Sequence, residues 1–198
     1  MSAISSDSEA RIIIVGKVGS GKTSIIENLM NKPHSYAHRP TVGSELYEAE
    51  ILEKCTQSRF HVFIWDTSGD EMYDAICRFY YKGSTCAIVT CDQEDLVSNL
   101  QESVTCYLKR IHEECGRIPM IIAVTKSDQL HSRIDSRSDR SFPFEDVFIP
   151  IIYTSGRDGS NVAHLFNQLL LDVVRHHQLV GTRMDTPIHK PQDLKIHE

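Results

Sequence analysis

The sequence predicts an α/β domain with a mostly parallel sheet of six strands and helices on both of its faces. Short apolar runs bounded by Gly, Pro, Asn and Asp alternate with longer segments of helical period, which is the pattern of such a sheet. At 198 residues the chain suits one domain, since a domain of this size buries roughly 70% of the surface that its unfolded chain exposes. We therefore expect one domain over residues 11–178, with flexible tails at residues 1–10 and 179–198.

The expected elements follow one another along the chain. Strands are predicted over residues 12–15, 46–53, 60–65, 85–91, 120–125 and 148–153, and helices over residues 22–31, 72–81, 96–115 and 162–177. In the last helix, apolar residues recur at i, i+3 and i+4 from Val162 to Val173, so one stripe should pack on the sheet. The stretch 132–141 is polar and precedes Pro143, so we expect a surface loop where a helix between the last two strands is short or missing.

The amino-acid composition narrows the range of possible binding partners. The net charge of -6 and the lack of a long Lys/Arg run argue against nucleic acid, whose phosphates need a concentrated basic face. The six cysteines form no C-x-x-C pair and no zinc spacing, so we expect reduced, mostly buried thiols in an intracellular protein. Neither a signal peptide nor an apolar run of roughly 20 residues is visible, and we expect a cytoplasmic protein whose partner is a small anion.

Residues 16–23 read G-K-V-G-S-G-K-T, which fits the phosphate-binding pattern G-x-x-x-x-G-K-[ST] between a predicted strand and a predicted helix. Glycines let the backbone form a nest of N–H groups, and the helix N-terminus adds partial positive charge. Lys22 is predicted to neutralise the β- and γ-phosphates, and the Thr23 hydroxyl to bind Mg²⁺. The alternative is an ordinary glycine-rich turn. The predicted phosphate-binding residues are Gly16, Val18, Gly19, Ser20, Gly21, Lys22, Thr23 and Ser24.

The choice of base is predicted by Thr125-Lys126-Ser127-Asp128, which ends an apolar strand at the carboxyl edge of the sheet. A carboxylate there can accept hydrogen bonds from N1–H and the exocyclic amine of guanine, a pair of donors that adenine does not present. Asp128 therefore indicates GTP and GDP, although a charged loop is the alternative for this tetrapeptide taken alone.

A family resemblance follows from four further segments. W-D-T-S-G-D-E at 65–71 resembles the W-D-T-A-G-Q-E segment of Rab-type small GTPases, and R-F-Y-Y-K-G at 78–83 resembles their R-x-Y-Y-R-G. P-T-V-G at 40–43 resembles the first switch, and T-S-G at 154–156 resembles the T-S-A guanine loop. The resemblance covers residues 12–177. It implies a P-loop NTPase G domain of the Ras superfamily, most like the Rab branch, with a role in vesicle trafficking.

The resemblance also implies roles for individual residues. Thr41 is expected to bind Mg²⁺ and the γ-phosphate, Asp66 to hold Mg²⁺ through water, and the Gly69 N–H to contact the γ-phosphate, so that loss of this phosphate releases two loops together. The implied catalytic set is Lys22, Thr41, Gly69 and Asp70, the metal set is Thr23, Thr41 and Asp66, and the base set is Thr125, Lys126, Asp128, Ser155, Gly156 and Arg157.

Protein partners are implied in the same way. Effectors, an exchange factor and a GTPase-activating protein are expected at the switch regions. Trp65, Leu46 and Tyr80 stand at positions similar to the apolar triad that Rab proteins present to effectors, with Leu46 where Phe is usual; core packing is the alternative for each.

Two departures from the family pattern bear on hydrolysis. Asp70 stands where the family has the glutamine that orients the attacking water, and an ionised carboxylate only accepts hydrogen bonds and repels the γ-phosphate. Val18 replaces a small residue, and a larger side chain there obstructs an arginine finger. We expect slow hydrolysis, unless a neighbouring group restores the orientation of the water.

Other departures bear on the base and on the membrane. His34 stands where many relatives place a Phe over the guanine, with Tyr36 as a candidate substitute, and Thr125 replaces an Asn whose amide ties this loop to the P-loop; Gly156 and Arg157 for Ala and Lys are milder changes. We expect weaker nucleotide retention. No cysteine follows Cys115, so a C-terminal prenyl acceptor is absent from the sequence and peripheral membrane attachment is left open.

Two functions compete on this sequence. One is a GTP-hydrolysing switch, and the other is a binding module in which the nucleotide is a structural ligand of an assembly subunit. A P-loop kinase is a third class, but it needs a second substrate site and a basic lid, and neither is evident.

Overall fold

The computed structural model describes residues 8–33, 40–129 and 140–180. Seven strands form one sheet in the order β2-β3-β1-β4-β5-β7-β6. The strands are β1 (Ser8–Val15), β2 (Ser44–Leu52), β3 (Arg59–Thr67), β4 (Cys86–Cys91), β5 (Met120–Val124), β6 (Arg140–Phe144) and β7 (Val147–Tyr153). The helices are α1 (Lys22–Leu29), α2 (Asp74–Tyr81), α3 (Gln93–Cys115) and α4 (Val162–Val180), and short 3₁₀ turns span Glu71–Tyr73 and Ser127–Gln129.

The five central strands are parallel. β1 lies between β3 and β4, with Ile14 opposite Asp66 and Val15 opposite Val89, and β5 pairs with β4 and β7. The carboxyl ends of these strands therefore meet at one edge of the sheet, where the connections to the following segments begin. The two edge strands, β2 and β6, are antiparallel to their neighbours.

Two hydrophobic layers cover the sheet. Alternate residues of β1 point to opposite faces, so that Ile12 and Ile14 join one layer while Ile13 and Val15 join the other. The first layer includes α1 and α4, and the second includes α3. Burial on both faces explains why β4 reads as a continuous apolar run rather than as an alternating one.

The described residues form seven strands rather than the predicted six, because the sequence pattern predicts no strand at β6. Residues 140 and 141 of the stretch predicted as a surface loop lie in this strand, whereas 132–139 lie outside the described residues. Phe142 and Phe144 are buried and alternate with the exposed Ser141 and Pro143. A proline is tolerated here because β6 is an edge strand, where a missing N–H breaks no ladder on the open side.

Several boundaries also differ from the prediction. β1 begins at Ser8, so residues 8–10 of the expected N-terminal tail pair with β3, and Ala10 is fully buried. The helix predicted to begin at Met72 starts as a 3₁₀ turn and becomes α-helical only at Asp74, while α4 continues to Val180. Residues 181–198 of the predicted C-terminal tail lie outside the described residues. Among the helices of the described ranges, none is sufficiently long and apolar to cross a membrane.

Candidate functional site

A cavity of about 880 Å³ opens at the carboxyl edge of the sheet, where open α/β sheets bind ligands. Its walls come from the loop after β1, the segment before β2, the segment after β3 and the loops after β5 and β7. The lining residues are Val18, Gly19, Gly21, Lys22, Thr23, Ser24, Glu27, Pro40, Thr41, Val42, Ser68, Gly69, Asp70, Tyr73, Thr125, Lys126, Asp128, Gln129, Gly156 and Arg157.

The loop between β1 and α1 has the conformation that its glycines permit. Gly16 and Gly21 have φ values of +149° and +86°, in the region that favours glycine. A Cβ at Gly16 would lie 2.3 Å from both the carbonyl and the hydroxyl oxygen of Thr90, so only glycine fits there. The sequence thus specifies a tight loop that holds its backbone against the end of β4.

Lys22 lies under this loop at the start of α1. Its Nζ donates to the carbonyl oxygens of Gly16 and Lys17, each at 2.8 Å. Burial lowers the pKa of Lys22 to about 8, and the nearby charge of Asp66 acts in the opposite direction. The ammonium is therefore positioned at the floor of the cavity by two backbone acceptors.

Three oxygen-bearing side chains converge beside Lys22, from α1, from the segment before β2 and from β3. The Thr23 hydroxyl donates to Asp66 Oδ2 at 2.6 Å, the Thr41 hydroxyl does so at 3.3 Å, and the two hydroxyl oxygens are 3.2 Å apart. Burial raises the pKa of Asp66, and Asp66 Oδ1 is buried without a hydrogen-bond partner among the described residues. Hard oxygens with one unsatisfied carboxylate oxygen fit Mg²⁺, which prefers such ligands.

The opposite end of the cavity carries the residues predicted to recognise the base. Asp128 Oδ1 accepts a hydrogen bond from the Ser155 hydroxyl at 2.8 Å, and Oδ2 lies 3.6 Å from Arg157 Nη1. Lys126 Nζ lies 3.0 Å from Asp92 Oδ2. Loops whose residues Asp128 and Ser155 are 27 positions apart therefore place the Asp128 carboxylate and the cations of Lys126 and Arg157 at the same end of the cavity, with Asp92 as a second carboxylate beside Lys126.

The expected loss of the tie between Thr125 and the P-loop is wrong. The Thr125 hydroxyl donates to the Ser20 carbonyl at 2.7 Å, with the Cys91 carbonyl a second acceptor at 3.2 Å, and Thr125 is buried. A threonine makes this tie because Gly21 comes close to it: a Cβ at Gly21 would lie 3.2 Å from the Thr125 side chain. The base loop and the P-loop are therefore joined without an amide.

Gly156 is also a larger departure than the sequence indicates. A Cβ at this position would lie 2.6 Å from the carbonyl carbon and oxygen of Ser24 in α1. The loop after β7 therefore approaches the helix more closely than an alanine allows.

The segment after β3 lies directly on the P-loop. A Cβ at Gly69 would lie 2.3 Å from the Val18 amide nitrogen and 2.4 Å from the Lys17 carbonyl carbon. The Ser68 N–H donates to the Gly43 carbonyl at 2.7 Å, which joins this segment to the one that carries Thr41. Movement of either segment is thus constrained by the other.

Asp70 has a local structural partner. Its Oδ1 accepts a hydrogen bond from the Met72 N–H at 2.9 Å, so the carboxylate caps the 3₁₀ turn that leads into α2. Asp70 is exposed and lines the cavity, as does Val18, whose side chain is 55% exposed. Both departures predicted to affect hydrolysis thus lie at the cavity, on the side of Gly69.

The predicted apolar triad is partly exposed and partly buried, so it fits neither an effector-binding surface nor core packing completely. Trp65 and Tyr80 stack with ring centroids 4.5 Å apart and are partly buried against the second core layer. Leu46 lies opposite Trp65 in the β2–β3 ladder and is 37% exposed. The sequence reasoning missed Met72 and Phe79, which lie in the turn and the helix that follow β3 and are 78% and 77% exposed.

The structure brings together most of the residues predicted from sequence. Gly16, Ser20, Asp66 and Ser155 lie beneath the cavity rather than in its lining, and His34 and Tyr36 lie outside the described residues. Lining residues that the sequence reasoning missed are Glu27, Pro40, Val42, Ser68, Tyr73 and Gln129. Most flank a recognised motif, and Glu27 follows Thr23 by one helical turn, so helical spacing was a usable signal for it.

A glycine-rich nest at a helix N-terminus, a buried lysine and a threonine-carboxylate cluster define a P-loop nucleotide-binding domain. Residues 11–128 match the family described as Roc, Ras of Complex, domain of DAPkinase. The chain belongs to this family of Ras-like domains, and so to the Ras superfamily of small GTPases, as a divergent member.

Relatives match over most of the chain. GTP-binding protein ypt3 of Schizosaccharomyces pombe is 26% identical over 166 residues, which cover 83% of this chain and 76% of the relative. Ras-related protein Rab7 of Pisum sativum is 26% identical over 173 residues, 83% of this chain and 82% of the relative. Ras-related protein RabL of Dictyostelium discoideum is 26% identical over 204 residues, 94% of each chain. The similarity to Rab proteins therefore extends beyond the motifs.

Proposed function

We propose that this chain is a guanine-nucleotide-dependent switch that binds GTP and GDP with Mg²⁺ and hydrolyses GTP slowly. The proposal rests on the chemistry found at the two ends of one cavity. Lys22 lies at one end, beside the Asp66 oxygen that has no hydrogen-bond partner among the described residues, and Asp128 lies at the other end. The volume of about 880 Å³ suits a ligand of this size.

The phosphate end carries complementary charge. The nest of N–H groups and the Lys22 ammonium bind oxyanions, and the Thr23 hydroxyl, the Thr41 hydroxyl and Asp66 would hold the metal. Bound Mg²⁺ supplies positive charge at the β- and γ-phosphates. Because Lys22 is buried, its attraction for phosphate is little weakened by water.

Switching follows from the two segments that meet at the γ-phosphate. Thr41 and Gly69 are the residues that would contact this phosphate, and the bond from Ser68 to Gly43 joins their segments. Loss of the phosphate removes both contacts, so the two segments are released together.

Slow hydrolysis is supported by the position of Asp70. Its carboxylate is engaged by the Met72 N–H, and an ionised carboxylate has no proton to donate to the transition state. Exposed Val18 adds bulk on the same side of the cavity. The same two observations favour a second candidate, a nucleotide-binding module that does not hydrolyse GTP and serves as a scaffold or complex subunit.

The cellular role is proposed from the relatives. Similarity to Ras-related proteins named Rab favours a cytoplasmic protein with a role in vesicle trafficking, where peripheral membrane attachment is open. Effectors and an exchange factor, and a GTPase-activating protein if hydrolysis is stimulated, would contact the switch segments. Val42, Met72 and Phe79 are exposed apolar groups of the described residues at these segments that suit such contacts.

Calorimetry with GDP, GTP and ATP, each with Mg²⁺, tests the proposal. We expect binding of both guanine nucleotides and at least hundredfold weaker binding of ATP. Asp128→Asn should transfer preference to xanthine nucleotides, because an amide N–H can donate to the carbonyl that replaces the guanine amine. Asp146→Asn, which changes an exposed carboxylate on the β6–β7 turn, is the matched control and should leave preference unchanged. Equal affinity for ATP would overturn the proposal.

A second assay separates the two candidates. The purified protein is denatured and the released nucleotide is identified, and the conversion of bound GTP is then followed in a single turnover. Slow conversion supports the switch, whereas GTP that persists unchanged over days supports the non-hydrolysing module.

A further inference from the structure

A buried pair of hydroxyl groups, from Ser20 of the P-loop and Thr90 of β4, lies beneath the P-loop, and no sequence motif gives a role to Thr90. Ser20 Oγ and Thr90 Oγ1 are 2.6 Å apart although the residues are 70 positions apart in sequence. Each residue is only 2% exposed. Buried hydroxyl groups are removed from water, so each of these two needs a hydrogen-bond partner within the protein, since an unsatisfied buried hydroxyl is destabilising.

The direction of these bonds follows from the protons available. The Thr90 hydroxyl donates its single proton to the Val15 carbonyl at 3.1 Å. The proton between the two hydroxyls must then come from Ser20. A chain of hydrogen bonds therefore runs from the Ser20 hydroxyl to the Thr90 hydroxyl and on to the last carbonyl of β1.

Ser20 is held at its backbone as well. Its carbonyl accepts the bond from the Thr125 hydroxyl at 2.7 Å, so β4 holds the side chain while the end of β5 holds the peptide. Gly16 closes the packing, because its Cβ position would lie 2.3 Å from Thr90 and 2.9 Å from Ser20 Oγ. The middle of the P-loop is thus held by hydrogen bonds at two groups of a single residue, the hydroxyl and the carbonyl of Ser20.

We propose that Thr90 is a positioning residue of the nucleotide site, which orients Ser20 and so fixes the backbone N–H groups that bind phosphate. Thr90 is not among the residues that line the cavity. The inference rests on the proposed function, because the N–H groups that it orders are the proposed phosphate ligands.

Substitutions at both ends of the pair test the proposal. Thr90→Val keeps the shape of the side chain but removes the acceptor of the Ser20 proton and the hydroxyl that donates to the Val15 carbonyl. Thr90→Ser keeps the hydroxyl and is the conservative variant. In Ser20→Ala/Thr90→Val neither partner is left unsatisfied at the pair, and the combined effect should be smaller than the product of the single effects.

The matched control is Thr85→Val. Thr85 also links β1 to the start of β4, since its hydroxyl accepts from the Arg11 N–H at 2.9 Å, but it lies at the end of these strands away from the P-loop. The same substitution between the same two strands therefore removes a hydroxyl without touching Ser20.

Amide hydrogen exchange in the ligand-free protein is the first measurement. Thr90→Val should raise exchange in the peptide 17–21 at least fivefold, whereas Thr85→Val and Thr90→Ser should change it less than twofold. GDP dissociation is the second measurement, and Thr90→Val should accelerate it about tenfold, with Thr90→Ser close to wild type.

The proposal is overturned if Thr90→Val leaves exchange in this peptide unchanged, or if Thr85→Val raises it equally. A wild-type protein that binds no GDP overturns the proposed function instead, and the exchange measurement, which needs no nucleotide, still decides the role of Thr90.

Discussion

Replacing Gly69 by alanine tests the contact between the segment after β3 and the P-loop. The φ value of Gly69 does not lie in the left-handed region, so the added methyl group introduces no backbone strain of its own. It would nevertheless lie 2.3 Å from the Val18 nitrogen and 2.6 Å from the Lys17 carbonyl oxygen. Backbone atoms cannot rotate away, so one of the two segments must move.

The required displacement gives the magnitude. Ordinary contacts of a carbon atom begin near about 3.4 Å, so the segment must retreat by roughly 1 Å. A hydrogen bond of about 2.9 Å from the Gly69 N–H to the γ-phosphate would lengthen to about 4 Å and be lost. A hydrogen bond to a charged group contributes about 1.5–3 kcal/mol. We therefore expect roughly 10- to 150-fold weaker binding of the triphosphate, at about 1.4 kcal/mol per tenfold.

Titrations with GDP and with a non-hydrolysable GTP analogue measure the effect. GDP has no γ-phosphate, so its affinity should change less than about threefold, within the error of such additive estimates. Gly116→Ala is the control, because its φ of +73° strains an alanine, no atom lies within 4 Å of the added carbon, and Gly116 does not line the cavity. It should leave the affinities for both nucleotides unchanged within about twofold. An equal loss of GDP and GTP binding in Gly69→Ala would refute the reasoning.

Four further predictions concern three residues of the site. Asp70→Asn keeps the cap and should stay slow in single-turnover hydrolysis, whereas Asp70→Gln should cleave GTP at least tenfold faster while losing about 1 kcal/mol of unfolding free energy with the cap; equal cleavage rates contradict this. The burial-lowered pKa of Lys22, about 8, predicts that GDP affinity falls up to tenfold per pH unit above about pH 8, as the ammonium is lost. Between this pKa and the ordinary lysine pKa of 10.5 the unfolded chain binds more protons than the folded one, so the stability of the ligand-free protein should rise with pH there, and denaturant titrations at several pH values measure it. Thr125→Val removes bonds to two carbonyls and should raise the GDP dissociation rate about tenfold, as measured with a fluorescent GDP.

The central strands and the phosphate end of the site were predictable because their signals are local. The P-loop pattern places its glycines, lysine and threonine within eight consecutive residues, and the adjoining strand is a continuous apolar run. The convergence of Thr23 and Asp66 needed only the additional knowledge that parallel strands end at the same edge. β6 was missed since Pro143 was interpreted as a loop signal, and only its position at the sheet edge makes it compatible with a strand.

Contacts between distant segments could not be predicted in this way. The bond from Thr125 to Ser20 joins residues 105 positions apart, and its existence depends on how closely Gly21 allows the two loops to approach. The cap at Asp70 was visible in principle, because an aspartate just before a helical segment is a common N-cap. Comparison with the family instead gave this position a catalytic meaning, and the structural role was overlooked.

The departures from the family pattern affect binding and hydrolysis in different ways. Thr125 keeps the base loop tied to the P-loop through its hydroxyl, whereas Gly156 lets the loop after β7 approach Ser24 more closely than an alanine would. Asp70 is different, since its carboxylate has no proton to offer to a developing transition state. Interactions that hold the bound nucleotide and interactions made only in the transition state contribute separately, the first to affinity and the second to rate. The proposed combination of intact binding contacts with reduced contacts in the transition state would therefore lower the rate of GTP hydrolysis more than the affinity for GTP.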